Sequence, residues 1–254
     1  MSSVVMQALE HGAVWRVTLA TPKANLLDIE MSAQLSSIFD RAREARALKA
    51  ILIEGQGAHF SYGASVQEHL PGKCEAMLRG FHRLFYQLLE LNVVTLAAVR
   101  GQCLGAGLEL AAFCHRVFAS PDARLGQPEI ALGVLAPVAS VALAERVGRS
   151  PAEDLCLSGR SIAAEQALVI GLVDEIAEDP AEAALGYVRE FLLPRSASSL
   201  RIAARAIRSG YARRFREELA EIERLYLEDL MSTKDAVEGL EAFLEKRDPS
   251  WSDS

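Results

Sequence analysis

The spacing of apolar residues changes period several times along the chain, and each change predicts an element. Trp15–Leu19 alternates apolar and polar residues, the pattern of a half-buried strand. After the loop TPKANLLD, residues Met31, Leu35, Ile38 and Ala42 fall on one helical face, with Asp28 placed to cap that helix. Lys49–Glu54 is a short apolar run between turn signals and predicts a buried strand. Met77, Phe81, Leu84, Phe85 and Leu88 mark a second amphipathic helix, and Val93–Val99 predicts another strand. Between the Lys49 strand and the Met77 helix runs EGQGAHFSYGASVQEHLP, a long polar, glycine-containing segment of the kind that often carries function. Strand, pronounced loop, helix and strand in repetition predict an α/β fold.

Beyond Val134 the pattern turns helical. Ser140–Val147 and Ser161–Val169 predict helices, the second closed by Gly171, and Leu172–Ile176 has room only for a strand end. From Pro180 nearly every segment has helical period. Leu200, Ala203, Ala204 and Ile207 share one face, and Phe215, Leu219, Ile222 and Tyr226 form a stripe that suits either the core or a subunit interface. Ser232 or Thr233 is placed to cap a last helix, Asp235–Lys246. The coarse division is an α/β core over residues 1–190 and a helical region over 191–254. No solenoid-like repeat is visible.

Half of the 254 residues are hydrophobic, enough for a sizeable core, and the net charge of −7 argues against a general nucleic-acid binder. The four cysteines show no CxxC spacing, so neither a zinc site nor a disulfide scaffold is expected. The N-terminal residues lack a signal-peptide pattern, and no apolar run has the length of a membrane span. These features predict a soluble, cytoplasmic protein with reduced thiols and no metal.

Arg100–Val134, RGQCLGAGLELAAFCHRVFASPDARLGQPEIALGV, holds the candidate chemistry. A small-residue turn at Gly101, Gly105, Ala106 and Gly107 opens into the apolar run LELAAF, and Glu109 and Glu129 sit in otherwise apolar company. The glycines let a ligand approach the main chain, and a helix starting near Ala106 offers unpaired N–H groups to an anionic oxygen. No Lys-Ser/Thr pair follows, so this is not a P-loop, and Leu108-Glu109-Leu110 breaks the dinucleotide fingerprint. On the turn alone, a glycine-rich connection with a solvent-facing Glu weighs as much as a site.

GQCLGAGLELA, GQPEIALG, FSYGASV and the terminal DAVEGLEAFLEKR, in that arrangement along nearly the whole chain, resemble the enoyl-CoA hydratase (crotonase) superfamily. The resemblance implies a spiral of ββα units followed by a helical trimerisation region, with trimers commonly stacked as hexamers. It implies acyl-CoA thioester substrates and no separate cofactor, since coenzyme A is part of the substrate. By the same resemblance, the backbone N–H groups of Ala64 and Ala106 form an oxyanion hole, Glu109 acts as base on water, and Glu129 acts as proton donor. The Lys23, Ala24 and Leu26 loop then touches the adenine end of coenzyme A, and Ser65, Val66 and Gln67 line the pantetheine. Gly105 admits the ligand, and Phe243 and Lys246 cover the nucleotide. For Lys246 an ordinary helix-end base is an equal alternative.

KANLLD, FSYGASVQEHLP and GQPEIALGVLAP more narrowly resemble the loops of members that hydrate a cyclic dienoyl-CoA of anaerobic benzoyl-CoA breakdown. Linear-chain enzymes usually continue after QPEI with a glycine-rich stretch. Here Pro137 and Val138 predict a bulkier, stiffer wall suited to a ring, with Tyr62 as a further wall residue. A linear enoyl-CoA hydratase, a double-bond isomerase and an RNA-binding homologue are the rival readings. His59 and His69 read as solvated loop residues and Cys103 as non-catalytic. Arg201, Arg205 and Arg208 read as a solvated or interface face.

Overall fold

The computed structural model describes residues 2–22 and 24–254, so Lys23 lies outside the described residues. The elements run β1 (Val4–Leu9), β2 (Val14–Leu19), α1 (Ile29–Glu44), β3 (Ala50–Gly55), α2 (Cys74–Leu91), β4 (Val94–Val99), β5 (Gln102–Leu104), α3 (Ala106–Phe113), β6 (Arg116–Ala119) and β7 (Arg124–Gly126). There follow α4 (Pro137–Val147), α5 (Arg149–Ser158), β8 (Ser161–Ala163), α6 (Ala164–Val169), β9 (Glu175–Ile176), α7 (Pro180–Tyr187), α8 (Ala197–Arg224) and α9 (Lys234–Glu245).

One sheet has the order β1-β2-β3-β4-β6-β9, antiparallel only at β1-β2, and a smaller one has the order β5-β7-β8. Because β3 and β4 are covered on both faces, they read as continuous apolar runs rather than alternating ones. Their side chains still divide with period two. Ile51, Ile53, Ala97 and Val99 pack toward α1, α2 and α3, whereas Ala50, Leu52, Leu96 and Ala98 pack toward α7. Asp28 caps α1 as expected, its carboxylate accepting from the Met31 N–H at 2.7 Å.

The apolar stripe of the long C-terminal helix belongs to the core of its own chain: Phe215 and Leu219 are fully buried, and Phe215 stacks among Phe85, Phe113 and Tyr211. Two of the arginines read as a solvated or interface face instead tie α8 to helix ends. Arg201 donates to the carbonyls of Leu91 and Ala45, where α2 and α1 end, and Arg208 donates to Phe113 at the end of α3. Arg205 is exposed.

Three further differences from the periodicity stand out. β1 is an edge strand whose solvent-facing half hides its alternation. Ser161–Val169 splits into β8 and α6, because the pairing of Leu125 with Ile162 draws the first three residues into the small sheet. Helix α5 carries few apolar residues and buries only Ala152 and Leu155, which leaves a faint stripe. Among the described residues no helix is long and apolar enough to cross a membrane.

Candidate active site

Parallel pairing decides where the site forms. β5 and β7 run parallel with Leu104 opposite Gly126, so both chains leave the small sheet on the same side, and the Gly105 N–H donates to the Gly126 carbonyl at 3.0 Å. The exit from β5 is the Gly105 turn leading into α3, and the exit from β7 is a 3-10 turn, Pro128–Leu132, that carries Glu129. The carboxyl ends of β3 and β4 open toward the same region, the usual location of a ligand crevice in parallel sheets.

Gly105 has φ +53° and ψ −127°, a conformation open to glycine alone. A Cβ there would lie 2.5 Å from the Glu129 Oε1, so the missing side chain is what lets that carboxylate reach the turn. Gly63, at φ +101°, packs its Cα against the Gly105–Ala106 peptide, with the Ala106 nitrogen 3.6 Å from where its own Cβ would stand. The two expected donor turns are thereby side by side. Among the described residues neither the Ala64 nor the Ala106 N–H has an acceptor.

A set of residues missed by the motif reading fixes the loop after β3. Asn25, at φ +46°, donates from Nδ2 to the carbonyls of Gln56 and His59, and the Ser61 hydroxyl bridges the Asn25 carbonyl and the Gly63 N–H. Leu27 and Cys103 flank the loop in parallel bridges to Ala64 and Ser61. His59 is part of this scaffold, its Nδ1 accepting from the Gln102 N–H at 3.1 Å. Asparagine's tolerance of positive φ was the available signal.

Glu129 lines a cavity of about 870 Å³, and Glu109 lies behind it, 3% exposed. The Glu109 Oε1 accepts the Ala139 N–H at 2.7 Å, from the first turn of α4. Burial, and then the charge of Glu129, push the Glu109 carboxyl up to about 8, against the pull of the Ala139 and Val138 N–H groups. Burial also raises Glu129, to about 7, while its own backbone N–H pulls the other way. Two neighbouring buried acids resist double ionisation and titrate as a unit, both held above the ordinary carboxylate range. The segment GVLAPVAS acts here through its backbone rather than its bulk. Val138 is fully buried in the core and is no part of the cavity wall, while Pro137 starts the helix whose free N–H groups hold Glu109.

Leu26, Tyr62, Ala64, Ser65, Val66, Gln67, Gly105 and Phe243 also line this cavity. Ala106 is buried beside it. Ala24 stands back from the wall and fixes the loop, its carbonyl accepting the Tyr62 N–H. Lys246 is the exposed αL cap of α9, and its neighbour Arg247 lines the cavity mouth, held by Glu238 and Glu245. His69 is half-buried in the wall rather than solvated. Its Nδ1 bonds the Ser65 carbonyl at 2.9 Å and burial lowers its basicity, so the ring is neutral with the proton on Nδ1. Cys103 is fully buried, which pushes its thiol up and leaves it inert. A shallower cleft of about 550 Å³ beside Asp154 and Arg160 contains neither acid.

Buried acids and two glycine-shaped turns with free amides thus meet at one cavity. A family model described as enoyl-CoA hydratase/isomerase matches residues 10–254, and the chain belongs to that family. Within it, the chain is 50% identical over 240 residues, 94% of its length and 93% of the relative's, to a cyclohexa-1,5-dienecarbonyl-CoA hydratase from Thauera aromatica. It is 34% identical over 257 residues, 99% of both chains, to a 2,3-dehydroadipyl-CoA hydratase from Escherichia coli. The crystal structure of an enoyl-CoA hydratase from Mycobacterium avium subsp. paratuberculosis superposes with a TM-score of 0.86 at 25% identity over 98% of both chains. The protein is a CoA-thioester hydratase.

Proposed function

We propose that the chain adds water to cyclohexa-1,5-diene-1-carbonyl-CoA, giving 6-hydroxycyclohex-1-ene-1-carbonyl-CoA, a step of anaerobic benzoyl-CoA degradation. The observation that carries the chemistry is the placing of the buried Glu109–Glu129 pair, both carboxyls raised, beside the free amides of Ala64 and Ala106. The half-identity to the Thauera aromatica hydratase supports the cyclic diene over a linear acyl group.

Hydration places negative charge on the thioester oxygen as water attacks the β carbon. Two pre-aimed amides stabilise that oxygen, each worth about 3–4 kcal/mol in comparable sites. In the form of the pair that carries its proton on Glu129, Glu109 takes a proton from the water as its oxygen bonds to carbon. Protonated Glu129, at the cavity surface, delivers a proton to the far end of the conjugated system. A proton passing from Glu109 to Glu129 resets the pair, so the atoms of one water are consumed. The thioester brings its own coenzyme A, and no other cofactor enters these steps. Leu26, Ser65, Val66 and Gln67 suit the pantetheine arm, and Phe243 at the mouth suits the nucleotide end. The working unit of this reading is a homotrimer in the cytoplasm.

Incubating the protein with a panel of CoA thioesters, read by the mass gain of one water, tests the substrate. Preferred turnover of the cyclic diene over crotonyl-CoA supports the reading, and the reverse preference replaces it with a linear-chain hydratase. For the roles, Glu129→Gln is expected to slow hydration by roughly 10²–10⁴. A variant near the wild-type rate removes Glu129 from the chemistry.

A further inference from the structure

Tyr226 is completely buried, yet its hydroxyl meets no hydrogen-bond partner among the described residues. A buried hydroxyl left unpaired is unfavourable and rare enough to need a reason. Tyr226 sits on a π turn, Leu225–Asp229, where α8 gives way to the last part of the chain, and such turns are frequent at functional sites. Its ring packs with Val134 and, at the edge of the same cluster, Val66 and Leu132, three residues that line the substrate cavity. The Val134 N–H in turn bonds the Glu129 carbonyl at 3.2 Å, so the cluster that holds the phenol also backs the turn that bears Glu129. The Glu129 carboxylate contributes the complementary orphan: its Oε2 is buried and has no donor.

We propose that Tyr226 is a positioning residue for hydration, its O–H holding the Glu129 Oε2 through one bridging water and so fixing the orientation from which that carboxyl delivers its proton. A site that is polar and enclosed, with a donor on one side and an acceptor on the other, is where a water binds well. The titratable groups around the phenol are Cys74 on α2, Glu109 on α3 and Glu129, while α9 contributes only Ala236 and Leu240. Burial above all, with the neighbouring acidic groups adding to it, keeps the phenol protonated and therefore a donor. Cys156 on α5 also faces the two carboxylates, but its thiol is pushed up to about 12 and carries no charge at neutral pH. Gln127, two residues before Glu129, is the other buried side chain of this turn with free polar atoms and is the competing donor.

The inference rests on the acid–base reading of the glutamate pair, and Tyr226→Phe tests it with whichever enoyl-CoA the wild type hydrates. Losing a donor to the charged form raises the pair's titration, so the bell-shaped kcat/KM profile is expected to move up by about one pH unit. The rate at neutral pH is expected to fall about three- to tenfold, as loss of one such bond implies. Thermal stability should change little, because only one water-mediated bond is lost while the aromatic ring keeps its packing. A profile superimposable on the wild type assigns the donor to Gln127 and overturns the proposal, as does a downward shift. Should the Phe variant fail to fold, 3-fluorotyrosine placed at 226 strengthens the donor, and the profile must then move to lower pH. An active Glu129→Gln enzyme would take down the acid–base reading itself. An unmoved Tyr226→Phe profile in an enzyme that needs Glu129 takes down only the role of the phenol.

Discussion

Gly105 is the residue at which backbone geometry and acid chemistry meet. Its φ of +53° excludes other residues without strain, and its missing Cβ leaves space for the Glu129 carboxylate. Gly105→Ala is therefore expected to displace both Glu129 and the Ala106 amide, cutting kcat by about 10² or more while the fold persists, as single-turnover kinetics and circular dichroism would record. Glu109 yields a prediction with a sign. Its folded carboxyl titrates near 8 against an ordinary value of 4.5, so between those values the folded state binds more protons than the unfolded one. Its contribution thus favours folding at low pH and is lost as pH rises toward 8. Glu109→Gln keeps an acceptor for the Ala139 N–H and carries no charge. It should melt several degrees above the wild type at about pH 9 and close to it at about pH 5, with hydration abolished. Calorimetry at the two pH values checks this, and equal melting points at both would show that the burial of the acid is not felt by the fold.

The site is made by ends of elements rather than by their middles. α3 presents the Ala106 amide at its first residue, and α4 turns its first N–H groups onto Glu109. A helix start is the one place where N–H groups are left over and partial positive charge gathers. α4 thereby holds a buried carboxylate from outside its own sequence. Ala139→Pro removes that donor from the first turn, a region where proline is tolerated. Glu109 should then titrate higher, shifting the acid limb of the rate profile upward and lowering kcat/KM at pH 7 by about tenfold, which a pH series of initial rates would show. The loop between β3 and α2 is ordered in a similar way, by Asn25 and Ser61 bonding main-chain groups, so that Ala64 keeps its N–H free.

At the scale of the molecule, the two sheets share one opening because β3 and β4 end there and the parallel pair β5-β7 exits there. The C-terminal helices complete it. α9 closes the cavity with Gly239 and Phe243, and Arg247 just beyond it stands at the mouth, while α8 is tied by Arg201 and Arg208 to the ends of α1, α2 and α3. Phe191, Ile202 and Ile207 are left exposed on the α8 side, apolar area that a homotrimer would bury. Light scattering is expected to give three or six times the 27.6 kDa chain mass, and a monomer at micromolar concentration would refute the assembly.

Local pattern carried much of this protein into view. The amphipathic helices of Met31 and Met77, the buried strands at Lys49 and Val93, the Asp28 cap and the two glutamates in apolar company all follow from period, turn chemistry and the cost of burying charge. They are properties of short stretches, and short stretches state them. Tertiary pairing decided the rest. The drawing of Ser161–Ala163 into a strand, the meeting of Gly105 with Glu129, the α4 amides on Glu109 and the role of Asn25 each join residues about thirty or more positions apart or on different elements. No window of sequence holds both partners of such a contact, because it arises from strands lying side by side rather than from neighbours along the chain. The stripe through Phe215 and Tyr226 shows both levels at once: its spacing suited a buried helix face, and only the packing set Tyr226 in the cluster that backs the cavity wall.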